Sequence, residues 1–107
     1  MLEENKKITL TGEEAITILS EVEYILISLR NIARYYCHKE SGEITDSEKN
    51  KYYKETTNFI DKNNITHRLA LIRRVVSEKF EDELGDDDMD DIERELEKLR
   101  CWTKPGD

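Results

Sequence analysis

Cysteine and long apolar runs are both scarce in this sequence of 107 residues. Two cysteines, one in each half of the chain, are too few for the disulfide framework of a small secreted domain. The longest uncharged runs, residues 15–20 and 24–29, are far shorter than the roughly 20 apolar residues that span a membrane. The first seven residues contain no apolar core of a signal peptide. These absences predict a reduced, cytoplasmic protein that does not cross a membrane.

The sequence also lacks the patterns that usually carry catalysis. It has no nucleophile paired with a nearby base, no phosphate-binding loop and no close spacing of metal ligands. Four residues that can bind zinc in other proteins do not have the spacing of a zinc site here: Cys37, His38, His67 and Cys101. A length of 107 residues corresponds to one domain and leaves no room for separate cofactor and substrate domains. We therefore expect a protein that is not an enzyme and that holds no cofactor or metal.

Apolar residues repeat every three or four positions in four segments, which predicts an all-α protein. We expect helices at about residues 12–38, 46–62, 66–84 and 88–102, within a single domain of residues 1–107. Thr11 and Thr45 each begin a Ser/Thr-x-x-Glu capping box, and Gly85 is expected to end the third helix. Short connections predict a small antiparallel bundle of four helices, with a short extended segment before the first.

Helix 1 has the clearest pattern, with two distinct uncharged faces. Its main apolar face, expected in the core, contains Ala15, Ile18, Leu19, Val22, Ile25, Leu26, Leu29, Ile32, Ala33 and Tyr36. A second stripe lies roughly opposite and contains Thr17, Ser20, Tyr24, Ile27, Asn31 and Tyr35. This stripe advances in the steps of three and four that helix-packing seams use. Either helix 1 is central and covered on both sides by its own chain, or the stripe binds a partner or a second copy in a homodimer.

Charge makes up 39% of the chain and is distributed in blocks. The net charge is −5 over residues 1–48, +5 over residues 49–79 and −8 over residues 80–107. Two interpretations stay open. The basic middle and the acidic end can neutralise each other within the bundle, although exposed pairs contribute only about 0–1 kcal/mol each. Alternatively, the charged surface binds another molecule.

The densest acidic stretch begins at residue 81. Its candidate partner-binding residues are Glu81, Asp82, Glu83, Asp86, Asp87, Asp88, Asp90, Asp91, Glu93 and Glu97. One or two acids would suffice to cap helix 4 and complement its dipole, with Asp87 or Asp88 as the cap. A rigid run of carboxylates can occupy a groove built for phosphates. Small phage-encoded inhibitors of restriction and CRISPR enzymes are similar to this chain in size and charge.

Part of the same stretch resembles an EF-hand calcium loop. The acids at the corresponding spacing are Asp86, Asp88, Asp90 and Glu97. The resemblance departs at Asp91, which stands where the loop has glycine for its sharp turn. The apolar periodicity of helix 4 also requires these residues to be helical, so we do not expect calcium binding.

Two segments of the sequence have features of proteins that act directly on nucleic acid. Arg30, Arg34 and His38 on helix 1 resemble the Arg–His signature of helical HEPN ribonucleases, with intervals that depart from it. That resemblance implies RNA cleavage. Direct DNA binding by helix 3 is disfavoured for two reasons. Its basic residues are spread around the helix and do not align on one face, and the acidic segments on either side repel phosphate.

The sequence as a whole predicts a non-enzymatic, acidic protein-binding module. Its expected partner is a basic, nucleic-acid-handling protein, which it inhibits or modulates. The alternatives are a homodimeric structural or assembly protein that uses the helix 1 stripe, and a small helical ribonuclease.

Overall fold

The computed structural model describes residues 1–37 and 42–106, and all regular structure in these residues is helical. The helices are α1 (Gly12–Cys37), α2 (Asp46–Lys62), α3 (Ile65–Ser77) and α4 (Asp91–Leu96), and a 3-10 turn covers Glu3–Asn5. The all-α prediction is confirmed. The extended segment expected before α1 forms no strand within this described part.

The chain divides into two compact units where the sequence predicts one domain. The helical unit is Thr11–Val75, and the acidic unit combines Met1–Leu10 with Val76–Asp107. The helical unit therefore contains α1, α2 and most of α3. The acidic unit contains both ends of the chain and the short helix α4.

Two of the helix starts follow from local sequence, as predicted. The backbone N–H of Glu14 donates to Thr11 Oγ1 (3.1 Å), and the N–H of Thr11 donates to Glu14 Oε1 (2.9 Å). At α2, the N–H of Glu48 donates to Thr45 Oγ1 (3.2 Å), and the Thr45 hydroxyl donates to Glu48 Oε1 (2.9 Å). Each cap satisfies a backbone donor that the first helical turn leaves without a partner.

Helices α1 and α2 form an antiparallel hairpin. The ring of Tyr24, in the middle of α1, lies 5.8 Å from the ring of Phe59, near the end of α2. The Tyr24 hydroxyl donates to Asn63 Oδ1 just beyond α2 (3.2 Å). Because the end of α1 leads into the start of α2, these contacts require the two helices to run in opposite directions.

Arg68 of α3 ties the three helices of this unit together. Its Nη1 donates to Glu21 Oε2 of α1 (3.0 Å), and its Nε donates to the carbonyl of Asn63 (3.0 Å). Its guanidinium carbon also lies 4.1 Å from the ring centre of Tyr24, a distance at which a cation and a π-face attract each other. One side chain thus contacts α1 by charge and by stacking and contacts the end of α2 by a hydrogen bond.

The predicted bounds of the last two helices are wrong. Helix α3 ends at Ser77 instead of residue 84, and α4 covers Asp91–Leu96 instead of residues 88–102. The acids that follow α3 repel one another at helical spacing, and aspartate is a weak helix former. At the other end, Leu96, Leu99 and Trp102 are exposed, so no packing supports further turns of α4.

Gly85 does not end a helix, contrary to the prediction. It lies eight residues beyond Ser77, and the positive φ values of the described glycines belong to Gly42 and Gly106. The left-handed residue of this loop is Asp88, at φ 61°.

The predicted core face of α1 is only partly covered. Ile18, Ile25 and Ile32 are half-buried, whereas Leu19 and Leu26 are 55% and 49% exposed. Among the described apolar residues, Ile65 at the start of α3 is the one that is buried. The contacts of α2 and α3 reach α1 near Glu21 and Tyr24, so the flank that carries Leu19 and Leu26 is left open.

We expect Arg68→Ala to destabilise the helical unit by about 1–2 kcal/mol, because it removes a cation–π contact and a partly buried ion pair together. Arg73→Ala is the matched control, since Arg73 is an exposed arginine of the same helix. Urea unfolding followed by circular dichroism measures both. Equal losses in the two variants would contradict a linking role for Arg68.

Candidate protein-binding site

The net charge of the protein lies entirely in the acidic unit. This unit has 15 acidic and 7 basic residues, a net charge of −8, whereas the helical unit has 10 of each and is neutral. The −5 and +5 blocks of the sequence cancel within the helical unit, because the parts of those blocks that belong to the acidic unit, residues 1–10 and 76–79, carry no net charge. Any electrostatic attraction to a basic partner therefore originates in the acidic unit.

Asp91 links the N-terminal segment to the start of α4 by hydrogen bonds. Its Oδ2 accepts hydrogen bonds from the side-chain amide of Asn5 (2.7 Å) and from the backbone N–H of Leu2 (2.8 Å). Asn5 in turn pairs with the backbone of Glu81: its Oδ1 accepts from the Glu81 N–H (2.8 Å), and its Nδ2 donates to the Glu81 carbonyl (3.0 Å). Asn5 and Asp91 are both buried, so each has the partners that a buried polar group requires.

Arg94 donates hydrogen bonds to two neighbouring carboxylates, those of Asp87 and Asp91. Its Nε and Nη2 donate to the two oxygens of Asp87 (2.6 and 2.9 Å), the bidentate geometry that suits a guanidinium. Its Nη1 donates to Asp91 Oδ1 (2.8 Å), and its Nη2 also reaches the carbonyl of Met89 (2.9 Å). We refer to Asn5, Asp87, Asp91 and Arg94 as the Arg94 network.

The hydrogen bonds of this network shift its pKa values in consistent directions. Arg94, and after it the backbone of Met89, holds the pKa of Asp87 well below the ordinary value. The Asn5 side chain, followed by the N–H of Leu2, lowers the pKa of Asp91 although burial opposes this. Asp87 and then Asp91 raise the pKa of Arg94. Both carboxylates are therefore ionised at neutral pH, and the single positive charge of Arg94 offsets part of their negative charge.

Gly85 makes room for the guanidinium. A Cβ atom at this position would lie 2.6 Å from Arg94 Nη2 and 3.2 Å from Asp87 Oδ1. The N–H of Gly85 donates to the carbonyl of Met89 (2.9 Å), and its carbonyl accepts from the N–H of Asp88 (3.1 Å). Glycine at this position leaves space for the observed placement of the guanidinium, and it does not adopt a left-handed conformation.

The predicted partner-binding residues divide into two groups. Asp87 and Asp91 belong to the Arg94 network, and Asp90 caps α4 by accepting the N–H of Glu93 (2.8 Å). The remaining seven are exposed, and the structure gives their carboxylates no hydrogen bond or ion pair in its described part: Glu81, Asp82, Glu83, Asp86, Asp88, Glu93 and Glu97. We refer to these seven as the acidic surface.

Asp90 corrects the expected cap of α4, which was Asp87 or Asp88. Sequence reasoning missed Asn5 and Arg94 altogether. Arg94 is the one basic residue between positions 81 and 97, and its spacing of three from Asp91 is a helical pairing signal. Asn5 has no such local signal, because its partner Asp91 is 86 residues away.

The uncharged stripe of α1 is exposed and is not covered by the chain. All six of its residues are exposed: Thr17, Ser20, Tyr24, Ile27, Asn31 and Tyr35. Tyr24 nevertheless makes the contacts with Phe59 and Arg68 described above, so it takes part in packing within the chain. A substitution at Tyr24 would therefore disturb the fold as well as any interface.

No group of three or more His, Cys, Asp or Glu side chains is placed to hold a metal ion among the residues that the structure describes. Of the four EF-hand-like acids, Asp90 caps α4, and the other three belong to the acidic surface. Cys37 and Cys101 are free thiols, and His67 is exposed. His38, which the ribonuclease alternative requires, lies outside the described residues.

Comparison with protein-family models, curated proteins and solved structures finds no match for this chain. Within residues 1–37 and 42–106, no helix combines the length and the apolar character needed to cross a membrane.

The Arg94 network predicts a loss of stability in acid. Asp87 and Asp91 have lower pKa values in the fold than in the unfolded chain, where the value is about 3.9. Their contribution is therefore present above about pH 4 and is lost as the pH falls toward the folded pKa values. Urea unfolding from neutral to acidic pH should show Asp87→Asn/Asp91→Asn less stable than wild type at neutral pH, with the difference shrinking in acid. A difference that is constant with pH would contradict this origin.

Gly85→Ala should displace the Arg94 guanidinium from Asp87, because the added Cβ would overlap Nη2. In NMR spectra, the Arg94 Nε–H signal should then lose the shift and slow exchange of a bonded group. Gly12→Ala is the control, since a Cβ at Gly12 meets nothing within 4 Å. An unchanged Arg94 signal in the Gly85 variant would show that the loop absorbs the methyl group.

Proposed function

We propose that the protein is a non-enzymatic binding module whose acidic surface occupies a basic, nucleic-acid-binding site of another protein and thereby inhibits it. The observation that supports this best is the concentration of charge. Seven exposed carboxylates lie in a unit of net charge −8, whereas the helical unit is neutral. Acidity needed only for solubility would not require such segregation.

A phosphate-binding groove contains arginine and lysine side chains, which donate hydrogen bonds to carboxylate oxygens in the same way as to phosphate oxygens. Competition of this kind is electrostatic. Its strength should fall as salt screens the exposed charges. The proposed partner therefore releases nucleic acid when it binds this chain and releases this chain at high salt.

The Arg94 network supports the proposal by ordering the surface. Asp86 and Asp88 belong to a loop closed by the hydrogen bonds of Gly85, and Arg94 holds the neighbouring Asp87. Charges held in place before binding lose less conformational entropy when a partner docks. The pairing of Asp87 and Asp91 with Arg94 also reduces the repulsion that so dense a cluster would otherwise create.

The test is a variant that removes three charges from the acidic surface and spares the Arg94 network: Glu83→Gln/Asp86→Asn/Asp88→Asn. Asparagine suits position 88, since it tolerates the positive φ observed there. Tagged full-length protein is incubated with bacterial lysate at low salt and washed with rising salt, and the retained proteins are identified by mass spectrometry. Wild type should retain a nucleic-acid-binding protein that the variant loses at lower salt.

A matched control removes the same number of charges from the helical unit: Glu43→Gln/Glu55→Gln/Asp61→Asn, all at exposed positions. This control should retain the partner as wild type does. The purified partner should also release labelled DNA when wild type is added. Equal retention by the two triple variants, or a partner that keeps its DNA, would overturn the proposal.

A further inference from the structure

The open flank of α1 carries a continuous heptad pattern. Taking Leu19 as position a, every a and d position from 19 to 36 is uncharged: Leu19, Val22, Leu26, Leu29, Ala33 and Tyr36. We refer to these six as the open seam. Leu19, Val22 and Leu26 are 55%, 38% and 49% exposed. A strict spacing of three and four is the pattern by which one helix packs along another over several turns.

The open seam is distinct from the uncharged stripe of Tyr24 and Ile27. A step of about 100° per residue places Leu19 and Leu26 about 80–100° around α1 from Ile27 and about 140–160° from Tyr24. The contacts of Arg68 and Phe59 reach α1 on the Tyr24 side. Leu19, Val22 and Leu26 therefore lie on a flank that the chain's own helices leave exposed, whereas Leu29, Ala33 and Tyr36 are half-buried.

We propose that the open seam binds a second copy of this chain, with the two α1 helices antiparallel. The argument rests on the charges beside the seam. Glu23 and Arg30 are both exposed, occupy successive e positions and carry no hydrogen bond or ion pair in the described residues. A two-fold axis perpendicular to the helices brings each e flank against the same flank of the other copy. Two equivalent ion pairs then form, because Glu23 of each copy lies near Arg30 of the other.

The core layers of this arrangement have compatible sizes. When the axis passes between Leu26 and Leu29, Leu26 of each copy packs against Leu29 of the other. Val22 then meets Ala33, and Leu19 meets Tyr36 of the second copy. Large side chains oppose small ones or a similar partner, as interdigitated packing requires. In this register Glu23 and Arg30 of the two copies are offset by two residues, about 3 Å along the axis, which their long side chains span.

A parallel pair does not fit the same residues. It would bring Glu23 and Arg30 against the g flank of the other copy, which consists of Ile18, Ile25 and Ile32. Those isoleucines are half-buried and offer no charge to pair with Glu23 or Arg30. The neutrality of the helical unit also favours self-association, because two copies that meet through α1 bring together surfaces of no net charge.

The first test reverses the flanking charges in the full-length protein. Sedimentation equilibrium should show a wild-type dimer, and Glu23→Arg and Arg30→Glu should each raise its Kd by about tenfold or more through like-charge contacts. The double variant Glu23→Arg/Arg30→Glu should restore the wild-type Kd. A monomeric wild type at micromolar concentration, or a double variant no tighter than the single ones, would overturn the antiparallel dimer.

The second test compares adjacent residues with the same substitution. Leu26→Glu places a charge in the open seam, whereas Ile27→Glu places it on the uncharged stripe, at nearly the same exposure. Leu26→Glu should abolish the dimer and Ile27→Glu should preserve it, with circular dichroism confirming the helix content of both. The opposite result assigns the interface to the stripe and overturns the proposal. Purified protein suffices, so the outcome is independent of the partner of the acidic surface.

Discussion

The carboxylate of Asp91 is the interaction on which the acidic unit depends. It joins the N-terminal segment, through Leu2 and Asn5, to the start of α4, and Arg94 links it to Asp87. A buried carboxylate is tolerated only when several donors surround it. Here those donors come from both ends of the chain. Asp91 therefore determines that the termini form one compact unit and that the acidic loop is ordered.

This network also decides which acids can act on a partner. Asp87 and Asp91 are hydrogen-bonded to Arg94, and Asp90 caps α4. The other seven acids make no such contacts in the described residues and carry the proposed electrostatic recognition. A stretch that reads as one uniform run in the sequence thus contains three acids with structural roles and seven surface acids.

The helical unit is limited by a different constraint, the small amount of apolar surface that three helices of this composition can cover. Arg68 and Tyr24 concentrate the packing on one side of α1, which leaves Leu19, Val22 and Leu26 exposed. Exposed apolar side chains at heptad spacing are the feature that a second helix covers most effectively. The two proposals therefore use different units and different physical forces. Charge acts in the acidic unit, and apolar packing acts in the neutral one.

The sequence alone determined the features that depend on neighbouring residues: the all-α class, the helix pattern of α1 and the capping boxes at Thr11 and Thr45. These features are local because a cap satisfies donors within one turn and periodicity is a property of one segment. The tertiary structure decided the ends of α3 and α4, the cap at Asp90, the close approach at Gly85 and the pairing of Asn5 with Asp91. It also decided which flank of α1 is covered. These features depend on how separate segments of the chain pack against each other. The periodicity of one helix does not indicate which of its apolar sides another helix covers.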